Sequence, residues 1–168
     1  MSILSSRYLL VAATLVGAAI SYSPSVFAGS TTTILNVSAS IQASCSSITT
    51  SGLGLGSINQ SVGVQTYGTV NVICGGGTPY LITMDSGVNG SGTGAGVLRN
   101  MKNSSNEYLP YNLYTNGYSS IWGNDSTSGV SGTGNGGNTA HYVYISVPAK
   151  PEATNGNYTD TVTITLTY

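Results

Sequence analysis

Between Thr33 and Cys45 every second residue is one that a protein core can take: Thr33, Leu35, Val37, Ala39, Ile41, Ala43 and Cys45. Asn36, Ser38, Ser40, Gln42 and Ser44 stand between them. A strand sends successive side chains to opposite faces, so strict period two across Thr31 to Cys45 predicts one long β-strand with a buried side and a wet side. Ile34 is the one apolar residue out of phase. The stretch is longer than the usual strand of about five or six residues, and no obvious partner lies near it in the chain. Two readings follow: the first strand of the chain's own sandwich, or a strand supplied to another molecule. Periodicity alone does not choose between them.

What precedes the stretch places it near the start of an exported chain. Residues 1–28 carry Arg7, an apolar run from Tyr8 to Ile20, and a polar segment ending Val26-Phe27-Ala28 before Gly29. The run is too short to span a bilayer, and the ending suits a signal peptidase, so cleavage after Ala28 and export are expected. No transmembrane helix, and hence no membrane insertion, is expected in what remains.

From Gly29 onward the cations are Arg99, Lys102 and Lys150, against Asp85, Glu107, Asp125, Glu152 and Asp160. A balance this sparse and slightly acidic argues against a nucleic-acid partner. Ten tyrosines and Trp122 sit among many Gly, Ser, Thr and Asn residues, a mixture that suits strands and tight turns over helices. Two cysteines, Cys45 and Cys74, in an exported chain lead to the expectation of a disulfide. A bridge closing a loop of about 30 residues is worth roughly 3.6 kcal/mol in the chain-entropy model. Metal binding is the rival reading, but two thiols and the single histidine, His141, make a poor site.

Further strands are predicted at Tyr67–Cys74, Tyr80–Met84, Leu109–Tyr114, Ala140–Val147 and Tyr158–Tyr168, each with apolar residues in alternation. Val70 and Val72 share the inward phase of Cys74, which brings Cys74 to the buried layer of Cys45. Pro110 cannot donate to a ladder, so its strand is expected to lie at an edge or to begin there. Ser51–Ser57 reads as a short bent strand or loop. Gly87–Gly96 reads as a flexible loop, and the low-complexity stretch Gly123–Asn138 as an exposed, mobile one. The last strand ends the chain with nothing left to pair with its free side. No helical period is convincing, and the sum is a single all-β sandwich of roughly six or seven strands.

Catalytic constellations are missing. The five carboxylates fall on different segments, so no acid–base pair is expected. His141 opens a strand and no nucleophile elbow accompanies it, which leaves it a surface or rim residue. Gly90–Ala95 matches the spacing of a dinucleotide-binding loop, but no helix follows it. No enzyme activity and no cofactor are expected.

In order along the chain, several segments resemble the spore coat protein U domain family, which includes the subunits of archaic, Csu-type chaperone-usher pili. They are ASC at Ala43–Cys45, VNVICGGGTPYLITMDSG at Val70–Gly87, LPYNLYTN at Leu109–Asn116, IWG at Ile121–Gly123, and GNYTDTVTITLTY at Gly156–Tyr168. The family's aromatic-glycine pair after the first cysteine is replaced by Leu55-Gly56, and its usual glycine is missing from VYISVPAKPE.

The resemblance implies an incomplete immunoglobulin-like β-sandwich that polymerises by donor-strand complementation, a known mode of strand addition. On that basis residues 29–41 are the N-terminal donor segment, with Thr33, Leu35, Val37, Ala39 and Ile41 facing a neighbour's core. Residues 42–168 form the sandwich domain, with Val162, Ile164, Leu166 and Tyr168 along the acceptor groove. The implied partners are identical or related pilin subunits, a periplasmic chaperone and an outer-membrane usher. The implied location is the periplasm and then a cell-surface fimbria supporting attachment and biofilm formation. An adhesive or carbohydrate-binding module of the same fold, with Tyr residues and Trp122 stacking on a ligand, is the second reading, and a secreted hydrolase the third.

Overall fold

The computed structural model describes residues 29–168, and the leader expected at 1–28 lies outside the described residues. The chain divides into a unit ending at Ala39 and a unit running Ser40–Tyr168. The second unit holds eight strands: β1 (Cys45–Thr50), β2 (Val64–Cys74), β3 (Pro79–Met84), β4 (Arg99–Lys102), β5 (Tyr108–Tyr114), β6 (Val130–Thr133), β7 (Asn138–Val147) and β8 (Ile164–Thr167). They form two antiparallel sheets, one ordered β1-β2-β7-β5-β4 and the other β6-β3-β8.

Alternation explains why these segments pair as they do. Val70, Val72 and Cys74 on β2 and Val143, Ile145 and Val147 on β7 are buried, while Tyr67 and Tyr142, in the opposite phase of the same strands, are exposed. Shifting either strand by one residue would turn its apolar set to water, so the long β2–β7 register, from Val64↔Val147 to Ile73↔Asn138, is strongly specified. Tyr80, Ile82 and Met84 of β3 and Leu109, Tyr111 and Leu113 of β5 fill the space between the sheets. Trp122 closes the core at 0% exposure, its indole N–H donating to the Ile82 carbonyl at 2.9 Å. Cys45 and Cys74 are disulfide-bonded and stand opposite each other in the β1–β2 ladder.

Several expectations are corrected. Thr31–Cys45 is no continuous strand: residues 29–44 belong to no ladder and are all exposed, and pairing begins only at Cys45. Alternation assigns side chains to faces, but a ladder also needs a partner. Gly87–Gly96 is not a loose loop, because Ser91 and Leu98 exchange backbone hydrogen bonds and Gly94–Gly96 forms a 3-10 turn. The stretch Gly123–Asn138 holds β6, which pairs with β3, and a turn knotted by Asp125, whose Oδ1 accepts from the N–H and hydroxyl groups of Thr127 and Ser128. Pro110 lies on the part of β5 paired with β4 alone, whereas Asn112–Tyr114 are internal and pair with β7. The final strand is confined to Ile164–Thr167.

Candidate functional site: a groove beside an unpaired strand edge

In the sheet β6-β3-β8, β8 has a neighbour on one side only. That side is saturated well beyond the strand itself. The Asp85 N–H donates to the Thr163 carbonyl, the Val88 N–H to the Thr161 carbonyl, and Thr159 exchanges both backbone hydrogen bonds with Lys102 of β4. In antiparallel pairing a residue points its N–H and C=O to one side and its neighbour points them to the other. Since Thr159, Thr161 and Thr163 face the paired side, the backbone groups of Asp160, Val162, Ile164, Leu166 and Tyr168 face the open one. The side chains of Val162, Ile164 and Leu166 are half-buried against the core, and Tyr168 is exposed.

Beside this edge lies a groove of about 1060 Å³. Ala153–Ile164 form one bank and Thr50–Ile58 the other, while Val70, Met84, Tyr111, Leu113, Val143 and Ile145 lie along its floor. Leu53, Leu55 and Ile58 are only partly buried on the far bank. An apolar trough flanked by unused backbone donors and acceptors suits an extended peptide with apolar side chains in alternation. Thr33, Leu35, Val37, Ala39 and Ile41, the residues with that alternation, are all exposed and belong to no strand.

The groove's edge is tied down by polar groups that the sequence reading passed over. Arg99 is 1% exposed, donating from Nε to the Asp85 carbonyl at 2.8 Å and from Nη2 to the carbonyls of Met84 at 3.0 Å and Trp122 at 2.7 Å. It thereby ties β4 of one sheet to the end of β3 in the other. Burial lowers its pKa, against the opposing influence of Tyr111, Asp85 and Asp160. The Tyr111 hydroxyl on the groove floor donates to Asp160 Oδ2 at 2.7 Å, and burial followed by that carboxylate pushes its pKa well up. Asp160 Oδ1 accepts from the N–H and side-chain amide of Asn89.

The Asp160 carboxylate lies against Gly87, where φ is +78° and any side chain would collide with it. Asp85 Oδ1 accepts from the N–H groups of Thr163 and Gly87, both at 2.9 Å. Partial burial acts to raise the Asp85 pKa, but those hydrogen bonds, with help from the Arg99 charge, hold it below its ordinary value. One signal for Arg99 was present in the sequence: in RNMK it shares the inward phase of Met101, and a cation at such a position is buried only with partners.

At the other end, the Glu107 carboxylate accepts from the Thr154 N–H and hydroxyl and from the Tyr158 hydroxyl, which lowers its pKa and fastens the bank to the start of β5. His141 is away from the groove. Its Nε2 shares a 2.8 Å hydrogen bond with the Tyr80 hydroxyl, and burial lowers its pKa. Trp122, expected as a stacking residue, has no exposed face.

A two-sheet antiparallel sandwich with an open strand edge beside a groove into its own core defines the class: an all-β, immunoglobulin-like sandwich short of a strand. The chain belongs to the Spore Coat Protein U domain family, which it matches over residues 31–165. It is 32% identical to Protein U of Myxococcus xanthus over 175 aligned positions, covering 95% of this chain and 96% of that protein. Its fold is similar to a chain in the crystal structure of the CsuC–CsuE chaperone–tip adhesion subunit pre-assembly complex, from the archaic chaperone-usher Csu pili of Acinetobacter baumannii. The TM-score is 0.56 at 18% identity, over 76% of this chain and 40% of that one.

Proposed function

We propose that the chain is a structural subunit of an exported fimbria that polymerises by donor-strand complementation, residues 29–41 of one subunit filling the groove of the next. The observation that carries this reading is the open edge of β8 beside an apolar groove within a chain whose alternating N-terminal segment lies exposed. Thr33, Leu35, Val37, Ala39 and Ile41 enter the neighbour's core, and the backbone groups of Val162, Ile164, Leu166 and Tyr168 complete the ladder. Before assembly the same edge needs a temporary cover. A periplasmic chaperone supplies it, and an outer-membrane usher passes the subunit to the growing fibre at the cell surface, where it serves attachment and biofilm formation. The likeness to a chain from a chaperone–tip adhesion subunit pre-assembly complex supports the chaperone-covered stage.

Deleting Gly29–Ala39 tests the reading, because Cys45 and the sandwich remain intact. The truncated chain should accumulate as a soluble complex with the chaperone and form no fibres. Loss of folding and of chaperone binding would instead make the segment part of its own domain's core.

A further inference from the structure

The face of the five-stranded sheet turned away from the groove carries a row of five tyrosines. Tyr67 on β2, Tyr142 and Tyr144 on β7 and Tyr114 on β5 alternate with the core residues of those strands and therefore point outward. Tyr144 stands opposite Tyr67 on one side and Tyr114 on the other. Tyr118, from the turn after β5, inserts between Tyr114 and Tyr144. Tyr67, Tyr142 and Tyr144 form a triangle with ring centroids 5.8, 6.1 and 6.4 Å apart, and Tyr118 and Tyr114 extend it from Tyr144 at successive 5.3 and 5.9 Å, neighbouring rings being tilted or edge-to-face. Tyr67 is 62% and Tyr142 53% exposed.

The backbone is strained to complete the row. Tyr118 has φ of 68°, a left-handed conformation rare for a bulky residue, and is held there by its ring contacts and by its hydroxyl donating to the Thr66 carbonyl at 3.1 Å.

The chemistry around the row narrows what it can hold. None of β2, β5 and β7 contains an Asp, Glu, Lys or Arg. The neighbours of the rings on this face are amides and hydroxyls: Gln65, which donates to Ser146, Asn71, which donates to Thr69, and Asn112. With no charge on these strands, a phosphate, sulfate or uronate gains no ion pair here. Aromatic faces are electron-rich and attract polarised C–H bonds, and tyrosine adds a hydroxyl at the wet rim. Neutral sugar rings present that combination, C–H faces edged with hydroxyls, and a chain of them can lie across several of these exposed rings.

We propose that the tyrosine row is a binding platform for a neutral polysaccharide chain, with Tyr67 and Tyr142 as its exposed stacking surfaces and Gln65, Asn71 and Asn112 as hydrogen-bonding neighbours. The platform lies on the face opposite the groove, so it stands or falls independently of donor-strand exchange.

Isothermal titration of the exported chain with cellohexaose, mannohexaose and an acidic hexagalacturonate tests it. At least one neutral hexasaccharide should bind saturably and the acidic one should not. Tyr67→Ala combined with Tyr142→Ala should weaken binding roughly tenfold or more. The paired Phe substitutions should largely retain it, and Tyr108→Ala, an exposed tyrosine outside the row, should leave it unchanged. If the double alanine variant does not fold, the single Tyr142→Ser change, at a half-exposed position, carries the same expectation of weakened binding. The proposal is overturned if no neutral hexasaccharide binds at millimolar concentration, if the ring-deleted variants bind as well as the parent, or if the acidic sugar is preferred. It is equally overturned if loss of the rings reduces self-association with no sugar uptake in the parent, which would assign the face to a second copy of the chain.

Discussion

Placing a carboxylate at Val37 tests the donor segment at the level of a single side chain. Leu35, Val37 and Ile41 are 83%, 86% and 101% exposed, and moving each into a neighbour's groove contributes about 1.5–3 kcal/mol, roughly 5–9 kcal/mol for the three. Val37→Asp removes one share and brings a charge into an apolar slot. Burial of that kind raises a carboxyl pKa by up to about 3–5 units, which at neutral pH costs about 4 kcal/mol, the roughly 3 units at about 1.36 kcal/mol each that it takes to protonate a free carboxyl at pH 7. The combined loss of roughly 5–7 kcal/mol is comparable to the whole side-chain contribution. Fibre formation at neutral pH should therefore fail. Ser38→Asp, one residue along, turns outward and should cost within about 0.5 kcal/mol. Fibre yield by sedimentation and electron microscopy is the readout. Acid should restore part of the Val37→Asp yield once the introduced carboxyl is neutral, at about pH 4. Normal fibres from Val37→Asp, or equal failure of Ser38→Asp, would refute the inward assignment of Val37.

Cys45→Ser should destabilise the subunit by about 2–5 kcal/mol, read from the urea midpoint and from lowered yield. Arg99→Met deletes three hydrogen bonds of a charged donor, worth about 1.5–3 kcal/mol each, but relieves a burial cost of several kcal/mol. A net loss of about 2–4 kcal/mol in urea melts is expected, and an unchanged or higher midpoint would show that the burial cost outweighs those bonds. Asp85, its pKa held below 3.8, contributes stability that is fully present above that value and is lost as pH falls through the lower folded-state value. Asp85→Asn should flatten the loss of stability in acid below pH 3.8, and an unaltered acid limb would place the acid sensitivity elsewhere.

Sequence reading succeeded where side-chain alternation and partner strands coincide. Val70, Val72 and Cys74, and Val143, Ile145 and Val147, announce their faces because both strands are flanked in the sheet and covered by the core. The same rule marked Thr33–Ile41 equally clearly, but that segment forms no ladder, since a pattern of faces does not say which molecule supplies the opposing one. Composition misled at Val130–Thr133, where backbone pairing to β3 and the Asp125 turn order a stretch with little apolar content. Arg99 was read as one cation among three because its carbonyl partners come from residues 84, 85 and 122, brought together only by folding. The five tyrosines of the row stood unmarked among the ten that follow Gly29 in the sequence, because their contiguity depends on the register of β2, β5 and β7.

The open edge of β8 beside the groove also sets the symmetry of anything built on it. In the proposed assembly, one groove and one donor segment per chain would make a heterologous contact, and such contacts propagate as a filament unless the rotation happens to close a ring. The filament is directional: every internal subunit both gives and receives, one end keeps a vacant groove, and the other keeps a spare segment. Growth is arrested at the donor end by a single molecule that lacks the segment, whatever the affinity of the joints already made. Further chains then add only at the vacant-groove end, so a donorless chain fixes the direction of growth.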